Sequence, residues 1–75
     1  MNNTRRKRIK ELSTQLDAIR NDLEEIWAEE QNSFENMPES LQNSERGQKV
    51  EETASSLEEA VSSLEEVISQ LNDIY

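Results

Sequence analysis

The sequence predicts an all-α fold: an antiparallel two-helix hairpin, coiled-coil-like, that dimerises into a four-helix bundle. Three observations carry this reading. The second half holds an unbroken apolar heptad, the first half holds a matching one, and a single proline stands between them. The 75 residues make one domain (1–75), with helix one over about 4–35, a connector over about 36–43 and helix two over about 44–75.

Helix two has the clearest pattern. Val50, Ala54, Leu57, Val61, Leu64, Ile68, Leu71 and Tyr75 follow at alternating steps of four and three, the period of a coiled-coil seam. A strand would show period two, and this segment never does. Ser44 stands where an N-cap is needed. In helix one, Ile9, Leu12, Leu16, Ile19, Leu23 and Ile26 step in the same way, with Asn3 or Thr4 as cap. The next seam position is Glu30, and the apolar character has moved sideways to Trp27 and Phe34, seven apart. The steps Ile19 to Leu23 to Trp27 are both four, the mark of a stutter.

Pro38 lacks a backbone donor and disfavours helix at the residue before it, so the chain breaks near Met37. Pro38 also suits the opening of a short helical turn through Gln42. In an antiparallel hairpin, facing residues have numbers of constant sum. Ile9 with Leu71, Leu12 with Ile68, Leu16 with Leu64, Ile19 with Val61, Leu23 with Leu57 and Ile26 with Ala54 all sum to 80, which centres the turn on Ser40. Near that turn, Gly47 leaves room for Phe34 or Met37. Helices of about 30 residues are roughly 45 Å long, and a pair of them has a thin core. Ala60, Val67 and Ile74 form a third stripe beside the seam, and Trp27 also lies off it. These four are the candidate homodimer interface, since a three-wide stripe suits a four-helix bundle.

Composition excludes much chemistry. With no cysteine there are no disulfides or thiolates, and with no histidine the commonest acid-base residue and metal ligand is missing. No Gly-rich phosphate loop or nucleophile-base pair occurs, so no enzyme, cofactor or metal site is expected. No apolar run approaches the roughly 20 residues of a membrane span, and a cytoplasmic protein without a membrane partner is expected.

The net charge of −9 is unevenly spread. Arg5, Arg6, Lys7, Arg8 and Lys10 form a basic tip, while from Glu11 onward three bases stand against 17 acids, a body of −14. The tip is a weak nucleic-acid candidate. It lacks interleaved aromatics for base stacking, and the register sets it beside Glu65, Glu66 and Asp73, where internal pairing absorbs it. Glu51 with Glu52, Glu58 with Glu59 and Glu65 with Glu66 recur every seven residues. Such an array can imitate a DNA backbone, or simply solvate the coil. Trp27, Phe34, Met37, Pro38, Leu41 and Arg46 gather toward the turn. Aromatic residues, Met and Arg are enriched at interface cores, although Phe34, Met37 and Leu41 also serve to plug the end of a thin bundle. Together with the six glutamates they are the candidate protein-binding residues.

The run Arg5-Arg6-Lys7-Arg8-Ile9, then Glu29-Glu30-Gln31, then the connector Phe34-Glu35-Asn36-Met37-Pro38-Glu39-Ser40-Leu41-Gln42 with Ser44-Glu45-Arg46, resembles small uncharacterised helical-hairpin proteins encoded by bacteriophages and prophages. The resemblance implies a phage or prophage source and the host cytoplasm. It transfers no functional residue. By class association it implies a non-catalytic module that binds a protein partner in a bacterial host as a modulator or inhibitor.

Overall fold

The computed structural model describes residues 2–75. Helix α1 spans Asn3–Glu35, a single turn α2 spans Glu39–Gln42, and α3 spans Glu45–Asn72. The long helices lie against each other in a rod of 58 × 14 × 13 Å, two helices wide. Numbers rise along α1 as they fall along its contacts on α3: Ser13 meets Asn72 and Arg20 meets Glu65. The hairpin is therefore antiparallel. Among the described residues no helix is long and apolar enough to cross a membrane.

The caps explain the helix ends. Asn2, rather than Asn3 or Thr4, caps α1: its side chain accepts the Arg5 N–H at 2.9 Å. The orphan donors of a first turn need an acceptor on the residue preceding it, and Asn2 has extended backbone there. Ser44 caps α3 by accepting the Gly47 N–H at 3.3 Å. Helix α1 stops at Asn36, and Pro38 precedes α2, its carbonyl accepting from Leu41 and Gln42. The Phe34 carbonyl accepts from the Met37 N–H at 3.1 Å and from Gln42 Nε2 at 3.0 Å, so the orphaned end of α1 is tied to α2.

The register differs from the one the apolar seams suggest. The touching pairs Ser13–Asn72 and Arg20–Glu65 both sum to 85 rather than 80. Helix α1 is also rotated. Leu12, Ile19 and Ile26 are not in the seam; they are 53 %, 49 % and 46 % exposed. Their places are taken by Ser13, Arg20, Trp27 and Phe34, which alternate with Ile9, Leu16 and Leu23 at steps of four and three. The large rings of Trp27 and Phe34 bury more apolar area than Ile26 and Ser33, whose places they take, and the rotation that seats them puts Ser13 where Leu12 would lie. Trp27 is thus half-buried against α3.

Small residues set the helix separation. Ala54 and Val61 are the buried apolar residues, and Ser13 is the buried polar one. Ser13 Oγ donates to Asn72 Oδ1 at 3.0 Å, and the Tyr75 hydroxyl donates to the same oxygen. Among the described residues no buried side-chain polar atom lacks a partner. At the other end Gly47 touches α2 rather than Phe34 or Met37. A Cβ there would lie 2.3 Å from the Leu41 carbonyl oxygen and 2.5 Å from that of Gln42, both backbone atoms that cannot swing away.

Gly47 therefore holds α2 against α3. Helix propensity alone makes Gly47→Ala stabilising by about 1 kcal/mol. The clash reverses the sign: the expected outcome is a lowered thermal midpoint in circular dichroism, and an unchanged or raised midpoint would refute the close approach.

Candidate functional site

The hairpin has two unlike faces, and helix geometry decides which residues share each. On α1 the inward lines are Ile9–Leu16–Leu23 and Ser13–Arg20–Trp27–Phe34. On α3 they are Val50–Leu57–Leu64–Leu71 and Ala54–Val61–Ile68. Side chains advance about 100° per residue. Asp17 and Glu24 therefore flank the second line of α1, and Glu51, Glu58 and Glu65 flank the second line of α3. The Arg20–Glu65 contact shows that these flanks meet on one face. The remaining flanks, Leu12–Ile19–Ile26 and Thr53–Ala60–Val67–Ile74, then share the opposite face.

The acidic face is organised by Arg20. Its stem lies inward with the side chain 20 % exposed, and its head reaches outward. The guanidinium lies 3.0 Å from Asp17, 3.1 Å from Glu24 and 3.9 Å from Glu65. The hydrogen bond to Asp17 foremost, aided by the charges of Glu24, Asp17 and Glu65, holds the Arg20 pKa above its ordinary value. A raised pKa contributes stability below the ordinary arginine range and loses it only above that range. Arg20 is thus charged wherever the protein is handled. Beside it a cleft of about 360 Å³ opens between the helices, with Trp27 and Val61 as apolar wall and Glu24, Glu58, Ser62 and Glu65 around them.

The six candidate glutamates do not form one array. All are exposed. Glu58 and Glu65 border the cleft, whereas Glu59 and Glu66 point about 100° away around the helix. Glu51 and Glu52 border a shallow groove with Gln48, Ser55 and Ser56. At the turn end Phe34 and Met37 are half-buried, while Pro38, Leu41 and Arg46 are exposed, Leu41 at 45 %. Trp27 lines the cleft and also a shallow groove with Gln31, Asn32 and Glu35 that runs toward this end.

The basic tip is not absorbed by internal pairing. Among the described residues every ion pair belongs to Arg20. The register is the reason: it sets Glu65 level with Arg20 and carries Arg5, Arg6, Lys7 and Arg8 past the end of α3 at Asn72.

The apolar face carries the proposed interface residues Val67, 41 % exposed, Ile74, 43 % exposed, and exposed Ala60, but Trp27 is on the other side. The observed register levels Leu12 with Ile74, Ile19 with Val67 and Ile26 with Ala60, three apolar layers in a row. Sequence reasoning missed Leu12, Ile19 and Ile26 as surface residues, and Arg20 as an inward one. A signal for both existed. Stepping back by sevens from Phe34 and Trp27 reaches Arg20 and Ser13, a complete heptad line.

Comparison of the chain with family models, curated proteins and solved structures finds no match.

Arg20 neutralises the acidic face at its centre. Arg20→Ala is expected to lower the thermal midpoint, with the loss shrinking in 1 M salt, where the screening length falls to about 3 Å. A loss independent of salt, read by calorimetry at low and high ionic strength, would assign Arg20 a packing role alone.

Proposed function

We propose that this chain is a non-catalytic protein–protein interaction module that forms a homodimer and engages a protein partner. The observation that supports this best is the apolar face. Five large apolar side chains on it, Leu12, Ile19, Ile26, Val67 and Ile74, are each 41–53 % exposed, while among the described residues the buried apolar ones are only Ala54 and Val61. An exposed, contiguous apolar stripe of this kind marks a surface that another protein covers. The acidic face, with Trp27 in its cleft, then stays free for a partner that presents basic and apolar groups. On the resemblance carried by the connector, the partner would be a protein of a bacterial host, and the chain a phage-encoded modulator acting in the host cytoplasm.

A tagged chain is expected to capture from a bacterial lysate a protein that the triple variant Trp27→Ser, Glu58→Gln, Glu65→Gln does not retain. Identical captured sets for both chains, with helicity equal by circular dichroism, would end the reading of the cleft.

A second reading draws on the unpaired basic tip, which is accessible to phosphates. If it binds nucleic acid, a mobility shift at low salt disappears when Arg5, Arg6, Lys7 and Arg8 are replaced by Gln. Absence of any shift with the unaltered chain removes this reading. Direct mimicry of DNA is less favoured, because Arg20 neutralises part of the acidic face and the glutamate pairs point in divergent directions.

A further inference from the structure

We propose that the apolar face is covered by a second copy of the chain lying antiparallel to the first, with the two turns at opposite ends of the bundle. The inference rests on reading this face as an interaction surface, and it adds the occupant and its orientation.

The area exposed argues for a partner of this size. An 8.7 kDa compact monomer exposes about 4,700 Å² by the size scaling of globular proteins. This chain exposes 5754 Å². The excess, about 1,000 Å², matches the roughly 800 Å² that each partner contributes to a stable interface. A second hairpin presents a face of identical length, and a two-fold interface is self-complementary.

Charge selects the orientation. The outer rim of the apolar face on α1 is the exposed line Arg8, Gln15, Asp22, Glu29, running from positive to negative along the helix. A two-fold axis through Ile19 and perpendicular to the helices lays α1 on α1 of the second copy. Arg8 then falls across from Glu29 of the second copy, and Gln15 across from Asp22. The rim of α3 holds Ser56, Ser63 and Gln70, neutral residues that tolerate their own copies.

The same axis balances the layers. Leu12 stacks on Ile26 of the second copy, and Ile74 stacks on Ala60, a large residue on a small one, which keeps layer volumes even. The alternative, with both turns at one end, gives Arg8 only neutral α3 rim residues as neighbours. It also gathers two basic tips, five bases each, at one end of the bundle, and stacks the Ala60 layers together. Like charges so placed repel.

The test uses sedimentation equilibrium, a charge swap and a distance. At micromolar concentration the unaltered chain is expected at twice 8.7 kDa. Each rim pair occurs twice by symmetry, so Arg8→Glu or Glu29→Arg alone is expected to weaken dimerisation roughly tenfold, and the double variant to recover to within about threefold. Position 8 is exposed, and equal helicity of the single variants and the unaltered chain by circular dichroism separates lost dimerisation from unfolding. The chain has no cysteine, so Ser40→Cys gives one spin label per copy. The labels are expected beyond about 45 Å in the antiparallel dimer, against about 25 Å or less if the turns coincide. A short distance, or a double variant no better than its parents, overturns the orientation while leaving the face as an interface. A monomer overturns the proposal outright. In that event Ile19→Glu separates the two ideas: loss of a captured lysate protein keeps the face as a docking surface for another chain, and unchanged capture removes that reading as well.

Discussion

Two packed helices can each turn only one narrow strip toward the other, and the rest of this molecule follows from what occupies that strip. Here it is two lines wide on each helix and holds Ala54 and Val61 at its centre, with leucines astride them. A pair of cylinders surrounds only small side chains, and among the described residues no large one is fully buried. The chain has more apolar stripes than the strip can take. One must remain outside, and which one stays outside decides what the surface offers.

The choice falls on α1 through Trp27 and Phe34. Turning these rings inward brings their heptad predecessors Arg20 and Ser13 with them, because a rigid helix rotates as a whole. Each passenger then needs a partner. Ser13 finds Asn72 and Tyr75, and Arg20 lifts its head to Asp17, Glu24 and Glu65. The polar contacts that fix the register at 85 thus accompany an aromatic preference elsewhere on the helix. The same rotation expels Leu12, Ile19 and Ile26 to the face where Val67 and Ile74 already lie.

The result is a hairpin whose faces differ in chemistry. One is a carboxylate surface with an arginine at its middle and a tryptophan in its cleft. The other is three apolar layers bounded by a rim graded from Arg8 to Glu29. What the rod presents is these two surfaces.

Much of the fold was legible in the sequence. The period of the apolar residues dictates two helices, Pro38 dictates the break, and Ser44 the restart, because these are local effects of backbone geometry and capping. The α3 seam is legible too, since Val50 to Leu71 keeps its alternating steps of four and three unbroken, with the Ala60–Val67–Ile74 stripe beside it. The α1 seam was not local. Two stripes competed, and the one with polar members won because it also carried the two rings; only packing against α3 could weigh ring burial against the cost of seating Ser13 and Arg20. The contact of Gly47 with α2, the overhang of the basic tip and the gathering of both spare stripes on one face came from that packing too. The sequence by itself determined the two long helices, the break between them and their antiparallel return. Register and rotation, and with them which apolar stripe is left on the surface, were decided by the tertiary structure, because they depend on summed side-chain contacts between segments some 60 residues apart.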